Sequence, residues 1–270
     1  MSNKETLEKV KKLRPIDDVF FERLMENKKV CQEILRVILN DDKLIVKSVV
    51  AQRDIQNLFG RSVRLDALCI LGSGDICNIE VQKSDNDDHV KRVRYNASLI
   101  TANKTPKGSD FSSVPTLLMV FISRFDIFKK NRNIYHVHSV ITDEGINYEM
   151  VDNGLSEVYV NTAVKDGTTL SELMECFENE KVDNAKFPNL TKEVKYYKES
   201  KKGVNRMCQI VEEYAKEKAD FQKALAIVED IENLMETSGM TEKQACKALK
   251  RTLKAYKDAK KLLSASEVLV

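Results

Sequence analysis

The stretch from Asp66 to Gln82, DALCILGSGDICNIEVQ, sets the tightest limit on what this chain can fold into. Two apolar runs flank Gly72-Ser73-Gly74, the pattern of a β-hairpin whose loop needs a residue in the left-handed conformation. Side chains alternate across a strand, so a slip of one residue would send the whole apolar set to the wrong face. A three-residue loop pairs Leu71 with Asp75 and Asp66 with Glu80. Val63, Leu65, Ala67, Cys69, Leu71, Cys77, Ile79 and Val81 then share one face, while Arg64, Asp66, Asn78, Glu80 and Gln82 gather at one end of the other. A two-residue loop at Ser73-Gly74 would pair Asp66 with Val81 and mix the faces, so it is rejected.

Two opposed carboxylates need something to offset them. At about 5.5 Å and an effective dielectric near ~20 they repel by roughly 3 kcal/mol. Arg64 can serve as a structural counter-ion, one acid can keep its proton, or both can hold a divalent cation together with the carbonyl oxygen of Val81. All three readings remain open on spacing alone.

Around the hairpin the periodicity changes twice. Residues 17–40 repeat as a helix, with Phe20, Phe21, Leu24, Ile34, Leu35, Ile38 and Leu39 on the buried side and Asp17 as its cap. From about residue 47 to 164 the period is mainly two, in the runs VKSVVAQ, SVRLDALCIL, DICNIEVQK, PTLLMVFIS, NIYHVHSVI, GINYEMV and EVYVNTAV, interrupted by a helical insertion at 88–103. After Gly167 the pattern is almost entirely helical. The sequence therefore predicts an α/β or α+β domain over 1–166 and an all-α extension over 167–270.

The extension carries two patterns. Met207, Ile210, Tyr214, Phe221, Ala224, Val228, Ile231 and Met235 form an apolar stripe. It either packs on helices expected at 169–180, 190–200 and 241–263 or makes a homodimer seam around 204–237. Lys243, Lys247, Lys250, Lys254, Lys257 and Lys261 recur at steps of four and three, drawing a basic stripe along the last of those helices, with Thr241 and Gln244 as its capping box. Such a stripe is either a solvated face or a nucleic-acid contact through residues such as Lys250 and Lys254.

With 42% hydrophobic residues the chain can bury a substantial core, and its net charge of +2 leaves any basic surface to local arrangement. Six cysteines without a C-x-x-C pair read as buried thiols of a reducing compartment, with no disulfide and no zinc knuckle. The opening MSNKETLEKVKKLRP is too charged for a signal peptide, and no apolar run approaches the roughly 18 residues of a membrane span. A soluble, cytoplasmic protein without a small-molecule cofactor is expected.

Asp66 on one strand, Glu80-Val81-Gln82 on the next and a following helix with KRVRYNASL together resemble the PD-(D/E)XK nucleases. More narrowly, the chain is similar to the bacterial nuclease-family transposases, also called recombination-promoting nucleases. DDVFF, GRSVRLDALCI, NIEVQ and TPKGSDF before VPTLLMVFIS fall in the family's order, over roughly residues 14–165. The resemblance implies a restriction-endonuclease-like mixed β-sheet flanked by helices, and a metal-dependent DNA endonuclease acting in recombination or on mobile or invading DNA. Asp66 and Glu80 would hold Mg²⁺ or Mn²⁺, and Gln82 stands where the superfamily's name has lysine. An amide can orient a water but adds no full charge, and Lys83 points to the opposite face of its strand.

Arg92 and Tyr95, three apart on the helix, either position a DNA phosphate or serve as a surface charge and a packing residue. Asp18 either supports the site or stabilises the start of its helix. His136 and His138 read as ordinary strand residues, and the loop with Asp85, Asp87 and Asp88 lacks the pattern of a calcium site. No base-reading motif is present, so target sequence is open. The alternative function is a nuclease-fold protein without efficient chemistry, acting as a nucleic-acid-binding or assembly module.

Overall fold

The computed structural model describes residues 3–55, 63–143 and 147–266. Residues 60–62 of the GRSVRLDALCI segment and 145–146 of GINYEMV lie outside them. The hairpin forms as β2 (Val63–Leu71) and β3 (Ile76–Gln82). The Leu71 N–H donates to the Asp75 carbonyl at 2.9 Å and the Gly74 N–H to the Leu71 carbonyl at 3.0 Å. Gly74 takes φ of 104°, the conformation that excludes most side chains. The ladder runs from Ile70 opposite Ile76 to Ala67 opposite Ile79, and one further step sets Asp66 opposite Glu80.

β3 lies beside β4 (Leu117–Ser123) in parallel, with Glu80 next to Phe121 and Gln82 next to Ser123. The six-stranded mixed sheet has the order β1-β2-β3-β4-β8-β5, where β1 is Val46–Ile55, β5 is Ile134–Val137 and β8 is Leu155–Asn161. Segment 133–141 is not one strand, as its period had suggested. The chain leaves the main sheet at His138, and β6 (Ser139–Asp143) pairs with β7 (Asn147–Val151) in a separate two-stranded sheet.

Helices cover the sheet, and caps explain where they stop. Residues 17–40 form two helices, α2 (Asp18–Met25) and α3 (Lys28–Leu39), because the Asn27 side chain accepts the Lys29 N–H at 3.1 Å and starts a new helix. Asp17 sits at the N-cap of α2, but its carboxylate takes the Arg14 N–H at 2.6 Å instead of capping the helix. An additional helix, α1 (Asn3–Lys12), precedes them. The insertion after β3 is α4 (His89–Lys104), capped by Asp88, which accepts the Lys91 N–H at 3.0 Å.

Two compact units emerge, and the one that holds the sheet runs on to Cys208. α5 (Thr169–Glu178) and α6 (Pro188–Glu199), assigned from sequence to the extension beyond residue 166, therefore pack with the sheet-bearing unit. Phe20 meets Tyr197 edge-on at 6.1 Å, and Phe21 meets Phe177 at 6.2 Å. The Glu33 carboxylate caps α6 by accepting the Leu190 N–H at 2.8 Å and the Asn189 N–H at 3.1 Å. α7 (Lys201–Ser238) follows Ser200 directly. A Cβ on Gly203 would stand 2.7 Å from the carbonyl carbon of Tyr196, so the sharp turn into α7 requires glycine there.

The second unit takes in Val63 and Arg64 at the start of β2 and, from Gln209 on, the rest of α7 with α8 (Glu242–Ala248) and α9 (Leu253–Ser266). Gln244 accepts the Thr241 N–H at 3.0 Å, the reach-back bond of the expected capping box. The expected helix over 241–263 is, however, broken. Lys250 adopts φ of 54°, its N–H returns to the Lys247 carbonyl at 3.1 Å, and the Arg251 N–H returns to the Cys246 carbonyl at 2.8 Å. This is a Schellman ending with lysine in the place glycine usually takes. The lysines consequently fall on two helices with Lys250 between them. Ala224, Val228 and Ile231 of α7 are buried against Ala245, Cys246, Tyr256 and Ala259, so that part of the apolar stripe is covered within the chain. All six cysteines are free, and no helix among the described residues is long and apolar enough to cross a membrane.

Candidate active site

Asp66 is half-buried where the β2/β3 ladder ends. Its Oδ2 accepts the Val81 N–H at 2.9 Å, so the side chain takes over a bond that a strand would have supplied. Removal from water raises its pKa well above the ordinary aspartate range, the negative charge of Glu80 raises it further, and the Val81 N–H opposes both. Asp18 and Glu22 on α2 push the same way. Glu22 is 4% exposed, and the sequence reading did not single it out. Its signal was the spacing of four from Asp18, which puts both acids on one face of α2.

Glu80 is 1% exposed on the sheet face that α4 covers. Its Oε1 accepts the Asn78 side-chain N–H at 2.8 Å and the Asn96 side-chain N–H at 2.5 Å. Its Oε2 is buried without a hydrogen-bond donor, and the Arg92 Nε stands 3.6 Å away. Asn96 was also missed from sequence, although an amide four residues after Arg92 on a helix with Val93, Ala97 and Ile100 buried is a polar group in an apolar setting.

Gln82 donates from Nε2 to the Ser84 carbonyl at 2.9 Å and accepts from Arg92 Nη1 at Oε1 at 3.1 Å. Lys83 reaches the Asp17 carboxylate at 3.0 Å, in keeping with strand alternation that turns it away from Gln82. Tyr95 is half-buried on α4. His136 and His138 are exposed, with their rings stacked at 6.2 Å. Lys250 and Lys254 are exposed in the second unit, one at the helix break and one in the first turn of α9.

The donor set suits a hard divalent cation. Glu80 Oε2 is an orphaned buried acceptor, and Asp66 is an acid whose charge its surroundings disfavour; a cation between them answers both. Among the described residues no three His, Cys, Asp or Glu side chains form a ready-made cage. Two carboxylates with backbone, water and substrate oxygens completing the shell are the usual arrangement for Mg²⁺.

Comparison with known proteins gives one match. The family model described as PD-(D/E)XK nuclease family transposase matches residues 15–266. No curated protein and no solved structure matches the chain.

Proposed function

Since the chain belongs to the PD-(D/E)XK nuclease family transposases, we propose that it is a metal-dependent endonuclease that hydrolyses DNA phosphodiesters in recombination or in processing mobile or invading DNA. The observation that carries this reading is the pair of acids itself: Glu80 keeps a buried oxygen without a hydrogen-bond donor beside an Asp66 carboxyl whose ionisation is suppressed. Asp66 and Glu80 would hold Mg²⁺ or Mn²⁺ with the Val81 carbonyl. When bound, the ion supplies a Lewis acid for the phosphoryl oxygen and lowers the pKa of a water. Gln82 turns its remaining N–H toward the attacking water. Arg92 and Tyr95 seat the phosphate, and Lys250 and Lys254 of the second unit contact DNA backbone. A homodimer would supply the second cut; with Ala224, Val228 and Ile231 covered, it would need a face of α7 other than that part of the stripe.

Purified protein should nick plasmid DNA with Mg²⁺ or Mn²⁺ and remain idle in EDTA. Asp66→Ala and Glu80→Ala should abolish nicking while keeping the circular dichroism of the parent. Nicking that survives both substitutions removes these residues from the mechanism, and an RNA substrate run in parallel tests the preference for DNA. The amide at position 82 favours one second reading, a binding module without efficient chemistry. That reading expects DNA binding that persists in EDTA, falls steeply with salt and weakens on charge reversal at Lys250 and Lys254, with no cleavage in any metal.

A further inference from the structure

We propose that Arg92 is a catalytic residue whose guanidinium supplies the positive charge that an amide at position 82 lacks, with Gln82 as the residue that positions it. The inference rests on the endonuclease reading above. Both ends of the Gln82 amide are committed, Nε2 to the Ser84 carbonyl at 2.9 Å and Oε1 to Arg92 Nη1 at 3.1 Å. Turning the amide over would set donor against donor and acceptor against acceptor, so the two contacts define one orientation. The same guanidinium brings Nε to 3.6 Å from Glu80 Oε2. Arg92 therefore bridges the second acid of the pair and the residue two positions on.

Lys83, the neighbouring cation in sequence, is held by Asp17. Arg92 remains 31% exposed while Glu80 is 2% exposed by side chain, so the guanidinium lies nearer to solvent than the acid it approaches and has donors beyond the one given to Gln82. A planar cation with five N–H groups can keep Gln82 and Glu80 and still donate to a non-bridging oxygen as charge develops there. An ammonium on the strand and a guanidinium reaching down from the helix are two routes to the same electrostatic stabilisation.

The test is a set of four proteins besides the parent: R92Q, R92K, Q82K and Q82K/R92Q. Nicking is measured in Mn²⁺, and DNA affinity in Ca²⁺. R92Q should slow nicking by about a hundredfold, the scale of removing one transition-state donor. Its DNA affinity should change by less than about tenfold, one contact's worth in a multi-phosphate interface. R92K should keep part of the rate, and Q82K should return at least about tenfold to R92Q by restoring a cation of the same sign in the same place. Equal melting temperatures exclude misfolding as the cause; if R92Q does not fold, the comparison of R92K with Q82K/R92Q carries the test. Parental nicking by R92Q, equal losses of binding and cleavage, or no rescue by Q82K each overturn the proposal. Nicking lost in Asp66→Asn but intact in R92Q sinks this inference alone, whereas a parent that nicks in no metal removes both readings.

Discussion

Removing one charge from the acid pair should stabilise the metal-free protein. Paired residues across an antiparallel ladder hold their Cα atoms about 4.5–5.5 Å apart. With Asp66 and Glu80 about 5 Å apart at an effective dielectric of ~20, full ionisation costs about 3 kcal/mol. Part of that is already relieved by the proton Asp66 tends to keep and by Arg92 near Glu80. Asp66→Asn keeps an oxygen for the Val81 N–H and removes the remaining repulsion, so a gain of about 1–2 kcal/mol is expected at pH 8, or about 2–6 °C in melting temperature. The sign with pH follows from the raised folded-state pKa. The folded protein binds more protons than the unfolded chain from the ordinary aspartate range upward, so this stability is present at low pH and lost as pH rises through the folded value. Calorimetry in EDTA at pH 5 and pH 8 should show the variant's advantage growing with pH. Saturating Mg²⁺ should then raise the parent by about 2.7 kcal/mol at a hundred times Kd and leave the variant unmoved. A variant that melts below its parent in EDTA at pH 8, or that responds equally to metal, refutes the charge argument.

Three further outcomes concern the scaffold. Gly203→Ala should cost about 1–3 kcal/mol in chemical denaturation, because its Cβ meets the rigid Tyr196 backbone; an unchanged midpoint would show that the helix junction yields freely. Glu33→Ala should lower stability by about 1–2 kcal/mol through loss of the α6 cap, measured by urea titration. Burial lowers the Lys198 pKa to about 8 from 10.5, so the folded state binds fewer protons than the unfolded chain between those values and stability should rise with pH across that window. Lys198→Met should remove that slope, and a slope that survives assigns it to another group.

The hairpin was legible in the sequence because its constraints were local. A glycine-bracketed loop and strict alternation leave one register that separates the faces, and α4 announced itself by a new period. Helix endings were less legible, since a helical period continues through Asn27 and Lys250 and only the caps reveal the breaks. Nothing in the periodicity said that α5 and α6 pack with the sheet-bearing unit; that depends on Glu33, Phe20 and Phe21 finding partners more than a hundred residues away. Within the site, the pairing of Asp66 with Glu80 followed from the hairpin alone, and Arg92, Tyr95 and Asp18 were named on their helices, whereas Glu22 and Asn96 were not. Glu22 and Asn96 have roles only once α2 and α4 lie against the strands. Arg92 was read as a phosphate contact, and its bond to Gln82 needed the helix in place.

The charge at this site sets an order of events. Asp18, Glu22 and Glu80 disfavour a charge on Asp66, and the Arg92 guanidinium stands beside Glu80; on the endonuclease reading, a phosphodiester approaching the metal-free acids should meet repulsion. On that reading, binding of the divalent ion should precede productive seating of DNA. Ca²⁺, which takes oxygen ligands of the same kind, should tighten DNA binding by the parent by about tenfold or more, the effect of cancelling one or two charges at close range. Asp66→Asn should bind DNA in EDTA at least as well as the parent, because it carries one acid fewer, yet gain little from Ca²⁺. Affinity that is the same with and without the ion in the parent would mean that DNA is held elsewhere, through the lysines of α8 and α9, and that the acids take no part in seating it.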